Sequence, residues 1–244
     1  MSARSNILVS VEGGKRDAAL MKHLLHTYGI EDDHEIYSYN TGIYALYNRM
    51  FRDKDPTSLD VLQVLKEGEK DEEKKKLLDK RYSDILLVFD LDPQDTFFEP
   101  DVIKAMSEYF VESSDMGKLY LNYPMVEAFY HMKKIPDMDY NAYTASQLEL
   151  KDGKYKSRVA KECINRDYKK FAINKEECNI VINQNIEKAK NITKNDSLAE
   201  IPSGNEILTV QLDFLRKTNE VYVLSTCGFY IYDYNPRLMM GVQS

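Results

Sequence analysis

Residues 84–90, Asp-Ile-Leu-Leu-Val-Phe-Asp, constrain the fold of this chain more than any other segment. Consecutive side chains of a strand point to opposite faces, so an unbroken apolar run of this kind can leave neither face in water. A second run, Ile7–Val11, is similarly rich in aliphatic and β-branched residues. Strands buried on both faces need helices on both sides, which is the layering of a parallel α/β sheet.

The sequence around these runs fits that layering. After Glu12-Gly13-Gly14, the residues Ala19, Leu20, His23, Leu24 and Tyr28 recur at spacings of three and four, and Gly29 closes the predicted helix. Residues 35–39 read as a second strand, and Thr41-Gly42 open a helix with Ile43, Leu46, Tyr47 and Met50 on one face. Beyond the 84–90 strand, the pattern predicts a helix over 100–110 and a short strand over 118–121. Asn122-Tyr123-Pro124 then reads as a turn that caps a helix carrying Met125, Val126, Phe129 and Tyr130, with Glu127 facing differently. The alternation of strand and helix predicts a parallel sheet flanked by helices. Right-handed crossovers put the carboxyl ends of its strands along one edge, where Glu12, Asp90 and Asn122 fall.

Elsewhere the signal is weaker. The mixed charge run at 66–76, KEGEKDEEKKK, reads as a solvated helix end or loop. Residues 140–198 are polar and Lys-rich, with helices broken by Asn/Lys loops. Residues 205–217 form a convincing helix with Ile207, Val210, Leu212, Phe214 and Leu215 available for its buried face. Residues 221–225 read as a strand, and Phe229-Tyr230-Ile231-Tyr232 continue the apolar pattern. The expected organisation is a core over residues 1–135 and a mixed α/β C-terminal elaboration over 136–244 packed on it.

Composition narrows the class. Hydrophobic residues at 43% and aromatics at 11% suit a folded protein. A net charge of −7 argues against coating nucleic acid by bulk electrostatics, though bound cations can offset it at a local site. Cys163, Cys178 and Cys227 form no CxxC pair, which argues against structural zinc and a disulfide framework. The apolar run at the N-terminus is too short for a signal peptide, and no stretch approaches the roughly 18 apolar residues of a spanning helix. A soluble, cytoplasmic protein with no membrane partner is expected.

The chemistry is carried by acids at strand ends. Asp90-Leu91-Asp92 ends a buried strand, and two carboxylates from one strand-to-loop turn can converge on a cation. Carboxylate oxygens suit Mg²⁺, which keeps water or phosphate in its remaining positions; Mn²⁺ accepts the same ligands. Asp95 is placed for an outer contact. The alternative is that these acids cap the following helix. Glu12 ends a second buried strand, and Gly13-Gly14 allow close approach of backbone or ligand. A carboxylate crowded by two others either has its pKa raised or holds a cation, and both states suit phosphoryl chemistry.

SVEGGKRDAALMKHLL, followed by FDLD at 89–92, resembles the TOPRIM domain of topoisomerases, bacterial primases and OLD-type nucleases. The resemblance spans roughly residues 5–135 and implies a TOPRIM-like Rossmannoid fold. It matches Glu12 to the family's glutamate and Asp90 and Asp92 to its metal-binding aspartates, as catalytic and metal-holding residues. Asn122-Tyr123-Pro124 with Glu127 is similar to a segment of small RloB-like TOPRIM nucleases linked to phage defence. Some of those work beside an ATPase subunit. The resemblance implies Mg²⁺-dependent phosphodiester hydrolysis on DNA or RNA, with Glu127 as a further acidic ligand and Asn122, Lys15, Gly13 and Gly14 near substrate. Pro93 and Gln94 stand where many topoisomerases carry a third acid, and none of the 18 tyrosines stands out, so hydrolysis is expected rather than strand rejoining.

Two other readings compete. A TOPRIM-like domain can serve as a non-catalytic sensor or as a subunit of a larger assembly. Leu-Leu-Val-Phe-Asp-Leu-Asp also opens haloacid-dehalogenase-type phosphatases, but there it begins the fold, and Gln94 departs from that pattern. Lys15 and His131 are candidates for the site's rim, His23 and His26 read as structural, and residues 154–158 and 169–170 are the expected basic surface.

Overall fold

The computed structural model describes residues 6–240 apart from 115, 166, 196, 198 and 199. It is an α/β protein whose main sheet, among these residues, has five strands in the order His34–Ser38, Ile7–Val11, Asp84–Asp90, Lys118–Tyr123 and Leu224–Ser225, mostly parallel. The described residues form two compact units, one within residues 6–89 and 101–120, the other within residues 90–100 and 121–240.

The first unit contains β1 (Ile7–Val11), α1 (Arg16–Thr27), β2 (His34–Ser38) and α2 (Ile43–Met50). Two short helices follow, α3 (Val61–Gly68) and α4 (Glu72–Leu78), then β3 (Asp84–Asp90), α5 (Pro100–Tyr109) and the start of β4 (Lys118–Tyr123). β1 is parallel to both neighbours, with Val9 opposite Ile36 on one side and Leu86 on the other. Every residue of β1 is buried, and so is every residue of β3 after Asp84, as strands covered on both faces require. The charge run at 66–76 includes a helix end and no fully buried residue, in line with its reading. It holds the end of α3, a turn and most of α4, and Glu69 is drawn inward, accepting a 2.9 Å hydrogen bond from the Tyr37 hydroxyl.

The second unit adds α6 (Glu127–Tyr130), β5 (Thr144–Ser146), α7 (Gln147–Lys151), α8 (Lys154–Glu162), α9 (Lys175–Thr193) and α10 (Gly204–Thr218). It ends with β6 (Glu220–Tyr222), β7 (Leu224–Ser225) and α11 (Phe229–Tyr234). Several expectations are corrected here. The fourth strand runs two residues past 121, so Asn122 is a strand residue and not part of a turn. The strand expected over 221–225 is two strands in different sheets: β6 pairs with β5, and β7 pairs antiparallel with β4. The apolar run after residue 228 is helical. The 205–217 helix buries Ile207, Leu208, Gln211, Leu212 and Leu215, while Val210 and Phe214 are only half-buried. Among the described residues no helix is long and apolar enough to cross a membrane.

Candidate metal centre

Glu12 follows directly on β1, and the sheet holds its backbone from two sides. Its N–H donates to Val88 O of β3 at 3.1 Å, and its own carbonyl accepts the Asn40 N–H at 2.8 Å. The side chain is thereby launched from the carboxyl edge of the sheet. Asp90 is the last residue of β3, the adjacent strand, and it is buried. Carboxylate oxygens of Glu12, Asp90 and Asp92 all lie within 4.8 Å of one another.

Asp92 reaches this position through an uncommon backbone. Its φ is +43°, in the left-handed region where only glycine is free of strain and aspartate is among the better tolerated alternatives. Hydrogen bonds stabilise that turn. The Asp92 N–H donates to Pro124 O at 3.1 Å, and the Asp95 N–H donates to Asp92 O at 2.9 Å. The Gln94 amide donates to Asp92 Oδ1 at 2.8 Å. Outliers of this kind concentrate at functional sites, where the surroundings over-determine the geometry.

Electrostatics make the cluster costly without a counter-charge. Burial pushes the Asp92 carboxyl above the usual carboxylate range. The Gln94 hydrogen bond and the Lys156 ammonium pull it down, whereas Asp95 and Glu127 push it further up. Glu127, a candidate further ligand from the resemblance, is buried in the one-turn helix α6, and its Oε1 lies 3.9 Å from Lys156 Nζ.

The donor set suits a small hard dication. With metal–oxygen distances of about 2.1 Å, octahedral ligands lie about 3.0 Å apart when adjacent and about 4.2 Å when opposite. Three carboxylate oxygens within 4.8 Å of one another are on the scale of such a coordination shell. All-oxygen donors favour Mg²⁺, Mn²⁺ or Ca²⁺ over softer metals.

The remaining sequence candidates fall in varied places. A Cβ on Gly13 would meet Asp17 Oδ2 at 2.5 Å, and one on Gly14 would meet Asn40 Oδ1 at 3.1 Å. What approaches the two glycines is thus the chain's own side chains. Lys15 is exposed at the start of α1. Asn122 is fully buried and donates to Asp90 Oδ1 at 3.2 Å, so its amide lies behind the acid. Asp95 is exposed and accepts the Phe97 N–H at 2.7 Å. His131 is buried, its Nε2 3.0 Å from Glu162 and its ring 4.9 Å from that of Tyr143; burial lowers its pKa. In the expected basic segment, Lys154 pairs with Asp152 at 2.6 Å and Arg158 with Glu149 at 3.2 Å. Lys156 keeps a largely exposed side chain.

Sequence reasoning passed over two residues. Gln94 registered only as a departure from two family patterns, although its position two after Asp92 is one from which an amide can reach back across a turn. Ser225 sits in an apolar run, and nothing local signals that its hydroxyl has a partner 103 residues away.

The fold and cluster define an α/β protein with convergent carboxylates at the ends of adjacent strands. Comparison with protein-family models, curated proteins and solved structures finds no match for this chain.

Proposed function

We propose that this chain is a TOPRIM-like, Mg²⁺-dependent nuclease that hydrolyses phosphodiester bonds in DNA or RNA, as an effector in antiphage defence. The observation that carries the reading is the convergence of Glu12, Asp90 and Asp92 within 4.8 Å, with Asp92 held in left-handed backbone. Glu12, Asp90 and Asp92 would hold the cation, with Mn²⁺ as a substitute. When bound, Mg²⁺ supplies Lewis acidity at a phosphoryl oxygen and a water of lowered pKa. The chain's own contribution is orientation. Gln94 steers Asp92, Asn122 steers Asp90, and Lys156, mostly exposed and electrostatically coupled to Asp92, offers a positive charge to a phosphate.

The test is cleavage of mixed DNA and RNA by purified protein with Mg²⁺ or Mn²⁺. Glu12→Ala and Asp90→Ala are each expected to abolish cleavage, a loss of at least a hundredfold for a metal ligand. Cleavage that survives both substitutions, or that proceeds in excess EDTA, overturns the assignment.

The net charge of −7 favours a second reading, a TOPRIM-like sensor or a subunit that depends on a partner such as an ATPase. In that case the isolated protein binds Mn²⁺ without cleaving either nucleic acid.

A further inference from the structure

A chain of buried hydrogen bonds leads away from Asp90 through the second unit. Asn122 Nδ2 donates to Asp90 Oδ1 at 3.2 Å. Asn122 Oδ1 in turn accepts from Ser225 Oγ at 2.8 Å. The backbone N–H of Ser225 donates to Asn185 Oδ1 at 2.8 Å, and the Tyr140 hydroxyl donates to the same oxygen at 2.6 Å. Asn185 Nδ2 closes the series on Val181 O, inside α9, at 2.9 Å. Asn122 is 0% exposed, and Ser225, Asn185 and Tyr140 are each 1% exposed.

The direction of these bonds follows from chemistry. An ionised carboxylate can only accept, so the Asn122 atom facing Asp90 must be the amide nitrogen. The amide oxygen then faces Ser225, whose single proton must be given to it. Cys227 Sγ, 3.2 Å from Ser225 Oγ, is left to donate to the serine oxygen. Each group in the series permits one arrangement, and a misdirected amide would set two acceptors against each other at low dielectric.

We propose that Ser225 is a positioning residue for Asp90: through Asn122 it fixes the orientation of the carboxylate that faces the cation. The proposal rests on the reading of Glu12, Asp90 and Asp92 as a divalent-metal site. It gives the C-terminal strand β7 a functional task, because β7 presents Ser225 opposite Asn122 in antiparallel register. Partners behind the ligands of a metal site orient those ligands, and their loss costs about 10–100-fold in metal affinity.

The experiment is Mn²⁺ binding to the full chain, followed by the electron paramagnetic resonance of free ion and by calorimetry, with folding checked by thermal unfolding. Ser225→Ala is expected to weaken Mn²⁺ binding about 10–100-fold, and Ser225→Thr, which keeps the hydroxyl, to restore it. Thr226→Val serves as the control. It removes a neighbouring buried hydroxyl, bonded at 2.8 Å to Leu121 O, that has no part in the series, and is expected to leave the affinity unchanged. If Ser225→Ala does not fold, Ser225→Cys keeps the shape with a weaker donor and is expected to lose affinity in the same direction. Tight Mn²⁺ binding by the wild type with no loss in a folded Ser225 variant overturns the positioning role and leaves the metal site standing. Equal losses in Ser225→Ala and Thr226→Val overturn it too, since packing alone would then explain both. A wild type that binds no Mn²⁺ overturns the metal reading and the positioning role with it.

Discussion

Lys188 shows how far the interior of this protein departs from what a residue's type suggests. It is 0% exposed, and its ammonium donates to Tyr140 O at 2.7 Å and Tyr143 O at 2.8 Å while lying 4.6 Å from the centroid of the Tyr140 ring. Burial pushes its pKa down to about 7 from the ordinary 10.5. Between those two values the unfolded chain holds a proton that the folded chain has released, so unfolding takes up a proton and rising pH favours the fold. Lys188→Met removes this linkage. The stability difference between wild type and variant should therefore shift towards the wild type as pH rises from 7 to 10, measured by urea unfolding at each pH. A difference independent of pH would contradict the assignment. No periodicity in the Lys-rich segment 140–198 distinguishes Lys188 from its solvated neighbours. Glu127 is buried as well, although a charged residue beside an apolar stripe is ordinarily on the surface.

At the scale of elements, the helix read over 205–217 begins earlier, with a cap made by its own neighbours. Ser203 and Glu206 form a capping box at the start of α10: Ser203 Oγ accepts the Glu206 N–H, and Glu206 Oε2 accepts the Ser203 N–H at 2.7 Å. Ser203→Ala should cost about 1 kcal/mol, read as a lower urea midpoint with an unchanged slope. β1 and β3 were readable because burial on both faces leaves a continuous apolar signature that needs no partner to be recognised. β4 was readable only in part. Asn122 is a poor strand former by propensity, yet it is held in the strand by Ser225 opposite it. The 220–225 segment could not be divided from sequence, because β6 and β7 differ in their partners and not in composition.

At the scale of the whole molecule, packing between distant segments sets constraints that no local window contains. Gly228 has φ −72°, a backbone open to any residue, yet a Cβ there would lie 2.8 Å from Ile182 Cγ1 on α9. Gly228→Ala should destabilise the protein by about 1–3 kcal/mol through overpacking. Trimming the neighbour in Gly228→Ala/Ile182→Val should recover part of that loss, a favourable coupling that a double-mutant cycle of thermal unfolding measures. Additive losses would mean that the two positions do not meet. The sequence by itself determined the class of fold and which acids end the buried strands, since a strand covered on both faces must be apolar throughout and its first acid marks where it leaves the core. Tertiary structure alone decided that Glu12, Asp90 and Asp92 come within 4.8 Å, that Asp92 is turned there through left-handed backbone, and that Asn122 and Ser225 stand behind Asp90. Those relations depend on register, on buried hydrogen-bond direction and on pairing between residues 103 positions apart, and none of these leaves a periodic trace in the chain.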